Sequence, residues 1–248
     1  MPGALTPRRI LVAAILSVAG LVAVAFAWSL LRPPDWVLDQ ASTSLDGTIF
    51  RVDTNARAVA LTFDDAPHPD VTPGIIRVLA RHNARATFFV IGSNGAAWPA
   101  LLDSIRVAGH ELGNHFYTDR MSAQLDDEEL REELLRTHRI IGNPEPPRWC
   151  RPGHGMITTR MTELFHEYEY TPVLGTAYPF DLRVPAGATV RHVLANLRPG
   201  AILVLHDGAP DRARTVDILG DLLPRIRARG YRLVTVSELV ELGEREAH

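Results

Sequence analysis

The sequence lacks the features that would indicate a disulfide scaffold, a nucleic-acid surface or a dinucleotide site. It contains a single cysteine, Cys150, so no intramolecular disulfide can form. Its net charge is -3, which provides no basic field for nucleic acid. No Gly-x-Gly-x-x-Gly motif follows the first predicted strand, so the main signal of a dinucleotide-binding fold is missing. Internal repeats and low-complexity tracts are absent as well.

One long uncharged run lies near the N-terminus, at residues 10–31, directly after Arg8 and Arg9. As a helix it would rise about 33 Å, enough to cross the core of a bilayer. An Ala-Phe-Ala sequence ending at Ala27 resembles a cleavage site, so residues 1–31 are predicted to be a transmembrane anchor or a cleaved signal peptide. The apolar residues beyond that site favour a single-pass anchor. Both alternatives place the rest of the chain outside the cytoplasm, because the arginines keep the N-terminus inside.

The rest of the chain is predicted to form a lead-in, one domain and a short tail. Residues 32–57 are expected to be an irregular linker, because they mix proline, serine and glycine with little periodicity. Over residues 58–241, short apolar runs alternate with helical segments, which predicts a parallel sheet covered by helices. About seven parallel strands fit a distorted or incomplete (β/α) barrel, with an open doubly wound sheet as the alternative. Residues 242–248 are predicted to be the tail.

Unusual polar residues follow the predicted strands of this domain. Parallel β/α folds build their sites at the carboxyl ends of strands, so these residues are expected to lie together. They are Asp64 and Asp65 after the first strand, His115 after the third, Arg151 at the fourth, Asp181 after the fifth and His206 after the sixth.

Three of these side chains form a candidate metal site. His115 and Asp119 are four residues apart, which places both side chains on one face of a helical turn. With Asp65 they make one imidazole and two carboxylates, leaving a coordination position for water or substrate. His206 has the pKa range of a general acid near neutral pH. Taken singly, each residue also fits a structural role, such as a surface pair or a core histidine.

The motifs, in this order, resemble those of the polysaccharide deacetylase family with the NodB-homology domain, carbohydrate esterase family four. The matching segments are residues 62–67, 115–119, 151–155, 204–207 and 229–235, and the resemblance spans about residues 58–240. It implies metal-dependent removal of N-acetyl groups, and also of O-acetyl groups, from a carbohydrate polymer or oligomer outside the cytoplasm. An acetylated glycan is therefore the expected partner.

The resemblance also implies a role for each residue of the base and the metal site. Asp64 would act as the general base, and Arg151 would hold it in position. Asp65, His115 and Asp119 would bind a divalent metal, usually zinc. Cobalt, nickel and manganese also accept such nitrogen and oxygen ligands.

The remaining roles concern the acid and the oxyanion. His206 would be the general acid, with Asp181 as the candidate partner that tunes it, although the sequence around Asp181 lacks the family's usual tryptophan. The backbone N–H of His154 would face the developing oxyanion. Phe116 replaces the usual serine or threonine of the second motif.

Two other functions fit the same sequence. The first is a catalytically inactive, membrane-tethered carbohydrate-binding protein, which the departures at Phe116 and near Asp181 permit. The second is an amidohydrolase that acts on a non-sugar C–N bond, because a fold does not determine its substrate. The sequence predicts neither the identity of the glycan nor the oligomeric state.

Overall fold

The computed structural model describes residues 33–142, 148–176, 181, 184–208 and 214–247. Its strands are β1 (Ala58–Ala66), β2 (Thr87–Val90), β3 (Glu111–Asn114), β4 (Arg148–Cys150), β5 (Tyr170–Pro172), β6 (Ile202–His206) and β7 (Arg232–Val234). Its helices are α1 (Asp35–Ser44), α2 (Thr72–Arg81), α3 (Gly92–Ala97), α4 (Pro99–Val107), α5 (Asp127–Ile140), α6 (Thr159–Glu167), α7 (Ala186–Ala195), α8 (Arg214–Ala228) and α9 (Val236–Ala247). Short 3-10 turns cover Ser122–Gln124 and Gly153–Gly155.

The seven strands form one parallel sheet, which confirms the predicted fold class. The sheet order is β5-β4-β3-β2-β1-β6, and β7 pairs with the first residues of β1. On that same side of β1, β2 pairs with the later residues, beginning at Thr62. All of these pairings are parallel, so the carboxyl ends of the strands meet at one end of the sheet.

Strands β5 and β6 do not pair directly. Residues outside the strands connect these two edges of the sheet. Ile49 forms a parallel bridge with Val173, and Arg51 forms an antiparallel bridge with Ala201. The backbone N–H of Thr176 donates to the carbonyl of Ile202 at 2.9 Å. The sheet is therefore a closed but irregular (β/α) barrel rather than the open doubly wound alternative.

Successive side chains of β1 point to opposite sides of the sheet and so serve two different cores. Val59, Leu61 and Phe63 pack under the surrounding helices. Ala58 and Ala60 belong to a second apolar cluster with residues of β6, β7 and α9. Thr62 and Asp64 continue the row of Ala58 and Ala60, so the barrel interior changes from apolar to polar toward the carboxyl end of β1.

Several predicted boundaries differ from the structure. The segment predicted to be an irregular linker contains α1, and residues 242–247 of the predicted tail belong to α9, whose Val236 and Leu239 pack against the inner row of β1. Glu246 also accepts a hydrogen bond from the N–H of Asn55, which ties the end of α9 to the lead-in.

The first strand ends later than predicted, because Asp64 and Asp65 lie within β1 rather than after it.

The predicted anchor or signal peptide at residues 1–31 lies outside the described residues. Within the part of the chain that the structure describes, no helix is long and apolar enough to cross a membrane.

Candidate active site

Arg151 and Asp64 form a buried ion pair at the carboxyl end of β1. Nη1 of Arg151 donates to Oδ1 of Asp64 at 2.5 Å and to Oγ1 of Thr62 at 2.9 Å. Its Nε donates to the carbonyl of Val173 at 2.8 Å, and its guanidinium carbon lies 4.1 Å from the ring centre of Phe89. These contacts hold a fully buried guanidinium in one orientation beside the carboxylate.

The surroundings of Asp64 favour its ionised form. Burial alone would raise the pKa of this carboxyl group, but the charges of Arg151, His115 and His206 outweigh burial and lower the pKa below its usual value. Among the described residues, no hydrogen-bond donor contacts the second oxygen, Oδ2. Asp64 therefore has an ionised oxygen that is able to accept a proton.

Asp181 orients His206 at the end of β6. Nδ1 of His206 lies 2.7 Å from Oδ1 of Asp181, and the backbone N–H of His206 donates to Oδ2 at 3.0 Å. Burial lowers the pKa of His206, but the hydrogen bond and charge of Asp181, with the charges of Asp64 and Asp65, outweigh burial and raise it. This favours the protonated ring that a general acid needs and leaves Nε2 to act on a substrate. The residues flanking Asp181, at 177–180 and 182–183, lie outside the described residues.

His115 and Asp65 face each other in a geometry that fits a shared cation. Nδ1 of His115 lies 2.6 Å from the carbonyl oxygen of Arg151, which can only accept, so the hydrogen bond assigns the proton to Nδ1 and a lone pair to Nε2. Nε2 lies 3.6 Å from Oδ1 of Asp65. Two ligand atoms of a tetrahedral zinc, each about 2.0–2.2 Å from the ion, would lie about 3.4 Å apart. The two lone-pair atoms therefore fit around one ion.

Asp65 has an unusual backbone conformation and a carboxyl group whose ionised form is disfavoured without a cation. Asp65 has a φ of 68°, which is rare outside glycine, and the Asn94 side chain donates to its carbonyl at 2.8 Å. Burial raises the pKa of Asp65, and the charges of Asp64 and Asp119 add to it, while the charges of His115 and His206 oppose it only in part. A divalent cation at this carboxylate would favour the ionised form.

The third predicted ligand, Asp119, lies apart from this pair. Its side chain is 64% exposed, and its Oδ1 is 3.9 Å from Nε2 of His154. Within the described ranges, no group of three or more His, Cys, Asp or Glu side chains is placed to hold a metal ion. The structure thus brings Asp65 and His115 together and leaves Asp119 on the surface of the loop after β3. Its role as a ligand stays a prediction.

His154 lies in the 3-10 turn that follows β4. Its φ is 60°, its side chain is half-exposed, and the turn is held by a 2.8 Å hydrogen bond from the N–H of Gly153 to Oγ of Ser122. The turn therefore places the side chain of His154 beside Asp119. The contact of its N–H with an oxyanion stays a prediction.

Comparison with known sequences identifies the family. The sequence profile of polysaccharide deacetylases matches residues 51–173. A peptidoglycan-N-acetylglucosamine deacetylase of Bacillus cereus is 35% identical over 195 residues, which cover 77% of this chain and 92% of the relative. A chitooligosaccharide deacetylase of Bradyrhizobium sp. is 34% identical over 201 residues, which cover 75% and 92%. The chain belongs to the polysaccharide deacetylase family.

Solved structures of polysaccharide deacetylases share the fold. A peptidoglycan N-acetylglucosamine deacetylase has a TM-score of 0.76 and 29% identity, covering 81% of this chain and 96% of that one. A family 4 acetyl xylan esterase from Clostridium thermocellum, solved with a cobalt ion, has a TM-score of 0.67 and 29% identity, covering 75% and 91%. A pseudoenzyme of the same family from Bacillus anthracis has a TM-score of 0.71 and 25% identity, covering 79% and 69%. The family therefore contains enzymes and at least one pseudoenzyme.

Two residues that position this polysaccharide deacetylase site were missed by the sequence analysis. Thr62 accepts from Arg151 and donates to the carbonyl of Leu203 at 2.9 Å, linking β1, β4 and β6. Oδ1 of Asn114 accepts from the N–H of Phe116 at 2.9 Å, which shapes the turn that carries His115. Thr62 is a polar residue in a strand whose preceding residues are all apolar, and that contrast would have revealed it, whereas Asn114 ends the short strand Glu-Leu-Gly-Asn and has no such signal.

Thr72 lies at the beginning of α2 but does not cap it. Its Oγ1 donates to Oδ2 of the fully buried Asp207 at 2.5 Å and makes no capping bond to α2. The backbone N–H of Asp207 donates to the carbonyl of Asp64 at 2.8 Å. Thr72 and Asp207 therefore fix the chain that follows His206 against β1.

Phe116 contributes to packing and not to the polar site. It is fully buried, and its ring centre lies 5.9 Å from that of Phe165 in an apolar cluster with residues of α5 and α6. The hydroxyl that the family usually has at this position is therefore replaced by an apolar contact. None of the polar contacts described above depends on it.

Proposed function

We propose that this protein hydrolyses N-acetyl groups of an extracytoplasmic glycan of the peptidoglycan or chitooligosaccharide class, with a divalent metal. One observation carries the proposal. Asp64 and His206 are register partners on the adjacent parallel strands β1 and β6, and their pKa values are shifted in opposite directions. Two neighbouring groups whose pKa values are pushed apart supply a base and an acid at the same pH. The names of the two relatives support the substrate class.

Asp65 and His115 would hold the metal, with Asp119 as the third ligand once its side chain turns inward. Zinc suits this set best, and cobalt, nickel or manganese are alternatives. When bound, the metal supplies Lewis acidity toward the acetyl carbonyl and toward water. The Nδ1–H of His115 bonded to the Arg151 carbonyl keeps Nε2 available as a ligand.

The proton transfers are assigned to the two oriented pairs. Asp64 takes a proton from the water that attacks the acetyl carbon, while Arg151 keeps its carboxylate in place. The backbone N–H of His154 donates to the developing oxyanion. His206 then gives the proton of its Nε2 to the sugar nitrogen as the C–N bond breaks. The products are acetate and a free amino sugar.

The proposed location rests on the N-terminal sequence. Residues 1–31 would anchor the protein in the membrane as a single span or be cleaved near Ala27 to release it. In both cases the glycan is reached outside the cytoplasm.

The test is acetate release from acetylated chitooligosaccharides and peptidoglycan, before and after treatment with a chelator. We expect chelation to abolish release and added zinc to restore it. Asp64→Asn and His206→Gln should each lower the rate by at least about 100-fold, because each removes a positioned proton-transfer group. The matched controls Asp103→Asn and His166→Gln change exposed residues distant from the site in sequence and should keep normal rates. Near-normal activity of either site variant would refute its assigned role.

A glycan-binding protein without catalysis is the second candidate function. The exposure of Asp119 and the similarity to a family pseudoenzyme favour it. This alternative predicts that the oligosaccharide binds while no acetate appears with zinc, cobalt, nickel or manganese. An amidohydrolase acting on non-sugar amides would instead release product only from a panel of non-carbohydrate substrates.

A further inference from the structure

The segment that carries α1 is attached to the end of the barrel opposite the proposed catalytic residues. Arg198, in the turn that enters β6, donates to the carbonyl of Pro33 at 3.0 Å and forms an ion pair with Asp35 at 2.8 Å. Beyond the other end of α1, a carboxylate oxygen of Asp46 lies 3.1 Å from Nε2 of His166, near the end of α6 and before β5. Turns that enter parallel strands lie at the amino end of the sheet, away from the carboxyl ends where such folds build their sites. The helix α1 therefore lies at the amino end of the barrel, between β5 and β6.

Ion pairs hold α1 in place on the barrel. Nε and Nη2 of Arg51 donate to the two carboxylate oxygens of Asp39, each at 2.9 Å, which is a bidentate contact. Arg51 in turn bridges to Ala201, directly before β6. The apolar side of α1 is turned inward at Leu38, which is buried. Both acidic residues of the helix, Asp35 and Asp39, are thus paired with arginine, so their negative charges are compensated.

This attachment leaves little chain between the domain and the predicted membrane span. The uncharged run ends at residue 31, and Arg198 already binds the carbonyl of Pro33. Two residue steps cover at most about 7 Å even in a fully extended chain. A span that ends at residue 31 would therefore bring the amino end of the barrel directly to the membrane surface.

Trp36, in the first turn of α1, has the exposure expected of a residue that contacts lipid. It is 72% exposed, compared with 45% for Trp98, whereas Trp149 is buried. Exposing a large apolar ring to water is unfavourable, and tryptophan is enriched at membrane interfaces because its ring is apolar and its N–H is polar. Trp36 is only five residues from the end of the uncharged run, so it lies where such an interface would be.

We propose that Trp36 and the first turn of α1 contact the outer surface of the lipid bilayer. The amino end of the barrel then faces the membrane, and the proposed catalytic residues face away from it. This orientation rests on the membrane anchor of the proposed function and adds a fixed direction of the domain to it. Because the carboxyl ends of the strands lie on the far side, the glycan reaches the site without passing the lipid surface.

The test is quenching of tryptophan fluorescence in the full-length protein, reconstituted into vesicles of phosphatidylcholine with brominated acyl chains. The substitutions Trp28→Phe, Trp36→Phe and Trp98→Phe are combined two at a time, so that each protein retains one of these tryptophans beside the buried Trp149. A protein with all three substitutions gives the emission of Trp149 alone. Reference vesicles contain the same lipid without bromine.

Trp98 is the matched control, because it is an exposed tryptophan at the carboxyl end of the barrel. It directly follows α3, and Asn94 of that helix donates to the carbonyl of Asp65. Trp28 lies in the predicted span and reports whether the anchor is inserted. We expect the brominated lipid to remove most of the emission of Trp28 and Trp36 and to leave that of Trp98 unchanged, because bromine quenches only on close approach.

The three reporters separate a failure of this orientation from a failure of the anchor. Quenching of Trp28 without quenching of Trp36 would overturn the lipid contact while the anchor stands, and would leave a second copy of the chain as the occupant of this surface. Equal quenching of Trp36 and Trp98 would mean that the domain has no fixed direction and would overturn the proposal as well. Absence of quenching at Trp28 would refute the anchor, and the orientation with it.

Discussion

Arg151 is a charged residue that is fully buried, so its charge must be stabilised by partners within the protein. Its guanidinium reaches Asp64, Thr62 and the carbonyl of Val173, so most of its donors are used within the barrel. Burying an unpaired charge costs several kcal/mol, so each of these partners is needed to keep the pair stable. Thr62 has a special place in this network because its hydroxyl both accepts from Arg151 and donates to Leu203.

At the residue scale, we predict that Thr62→Val destabilises the protein by about 1–2 kcal/mol, because two buried hydrogen bonds are lost at constant shape. The free energy of unfolding in urea measures this. Thr189→Val is the matched control, since Thr189 is equally buried but its hydroxyl has no partner among the described residues. Its replacement should be neutral or stabilising. Equal losses in the two variants would mean that the Thr62 hydroxyl contributes nothing specific.

The helices differ in how their first turns are satisfied. At α5, Asp126 accepts from the N–H of Glu129 at 2.9 Å, and the Glu129 side chain accepts from the N–H of Asp126 at 3.2 Å. These two hydrogen bonds form a capping box. At α6, Thr158 occupies the cap position without a side-chain capping bond. The local sequence therefore determines the beginning of α5 more firmly than that of α6.

At the element scale, we predict that Asp126→Ala lowers the stability of the protein by about 1 kcal/mol, because the first turn of α5 loses its cap. Thr158→Ala removes a side chain that makes no cap bond and should cost clearly less. Thermal unfolding of the two variants beside the wild type measures the difference. A loss for Thr158→Ala as large as that for Asp126→Ala would contradict the capping argument.

The two ends of the barrel have different chemistry. The carboxyl end holds the paired acids and histidines, while the opposite end is packed by α9. Trp149 links α9 to the strands, because its indole N–H lies 2.9 Å from Oε1 of Glu111 and 2.8 Å from Oγ of Ser237. His110 lies at this second end, where burial and the charge of Arg85 lower its pKa to about 4.

At the scale of the whole molecule, we predict that His110 makes the protein less stable in acid. The unfolded chain takes up a proton at this histidine as the pH falls through about 6.5, whereas the folded protein does so only near pH 4. The unfolded state thus binds more protons between these values, so stability decreases as the pH falls from about 6.5 to 4. The contribution is on the order of 3 kcal/mol.

His110→Phe removes this titration while preserving the ring contact with Phe88. Urea unfolding at several pH values, in buffers without phosphate, should show that the variant loses less stability in acid than the wild type does. Parallel curves for the two proteins between pH 6.5 and 4 would exclude this role for His110.

The sequence alone determined the features that depend on local order. Alternating apolar strands and helices specified a parallel β/α fold, because each element must bury one face. The residues that end each strand could be identified as site candidates, since parallel strands bring their carboxyl ends together. That rule placed the candidates at one end of the sheet, and the family resemblance implied the pairs Arg151 with Asp64 and Asp181 with His206, which the structure contains.

Only the tertiary structure decided the features that depend on packing between distant segments. It placed His115 opposite Asp65 and left Asp119 exposed, because a helical spacing does not determine the direction of a loop side chain. It made helices of residues 35–44 in the predicted linker and of residues 242–247 in the predicted tail, because their apolar residues find partners only on the assembled barrel. Local sequence thus determines which groups are present, and the folded contacts determine which of them meet.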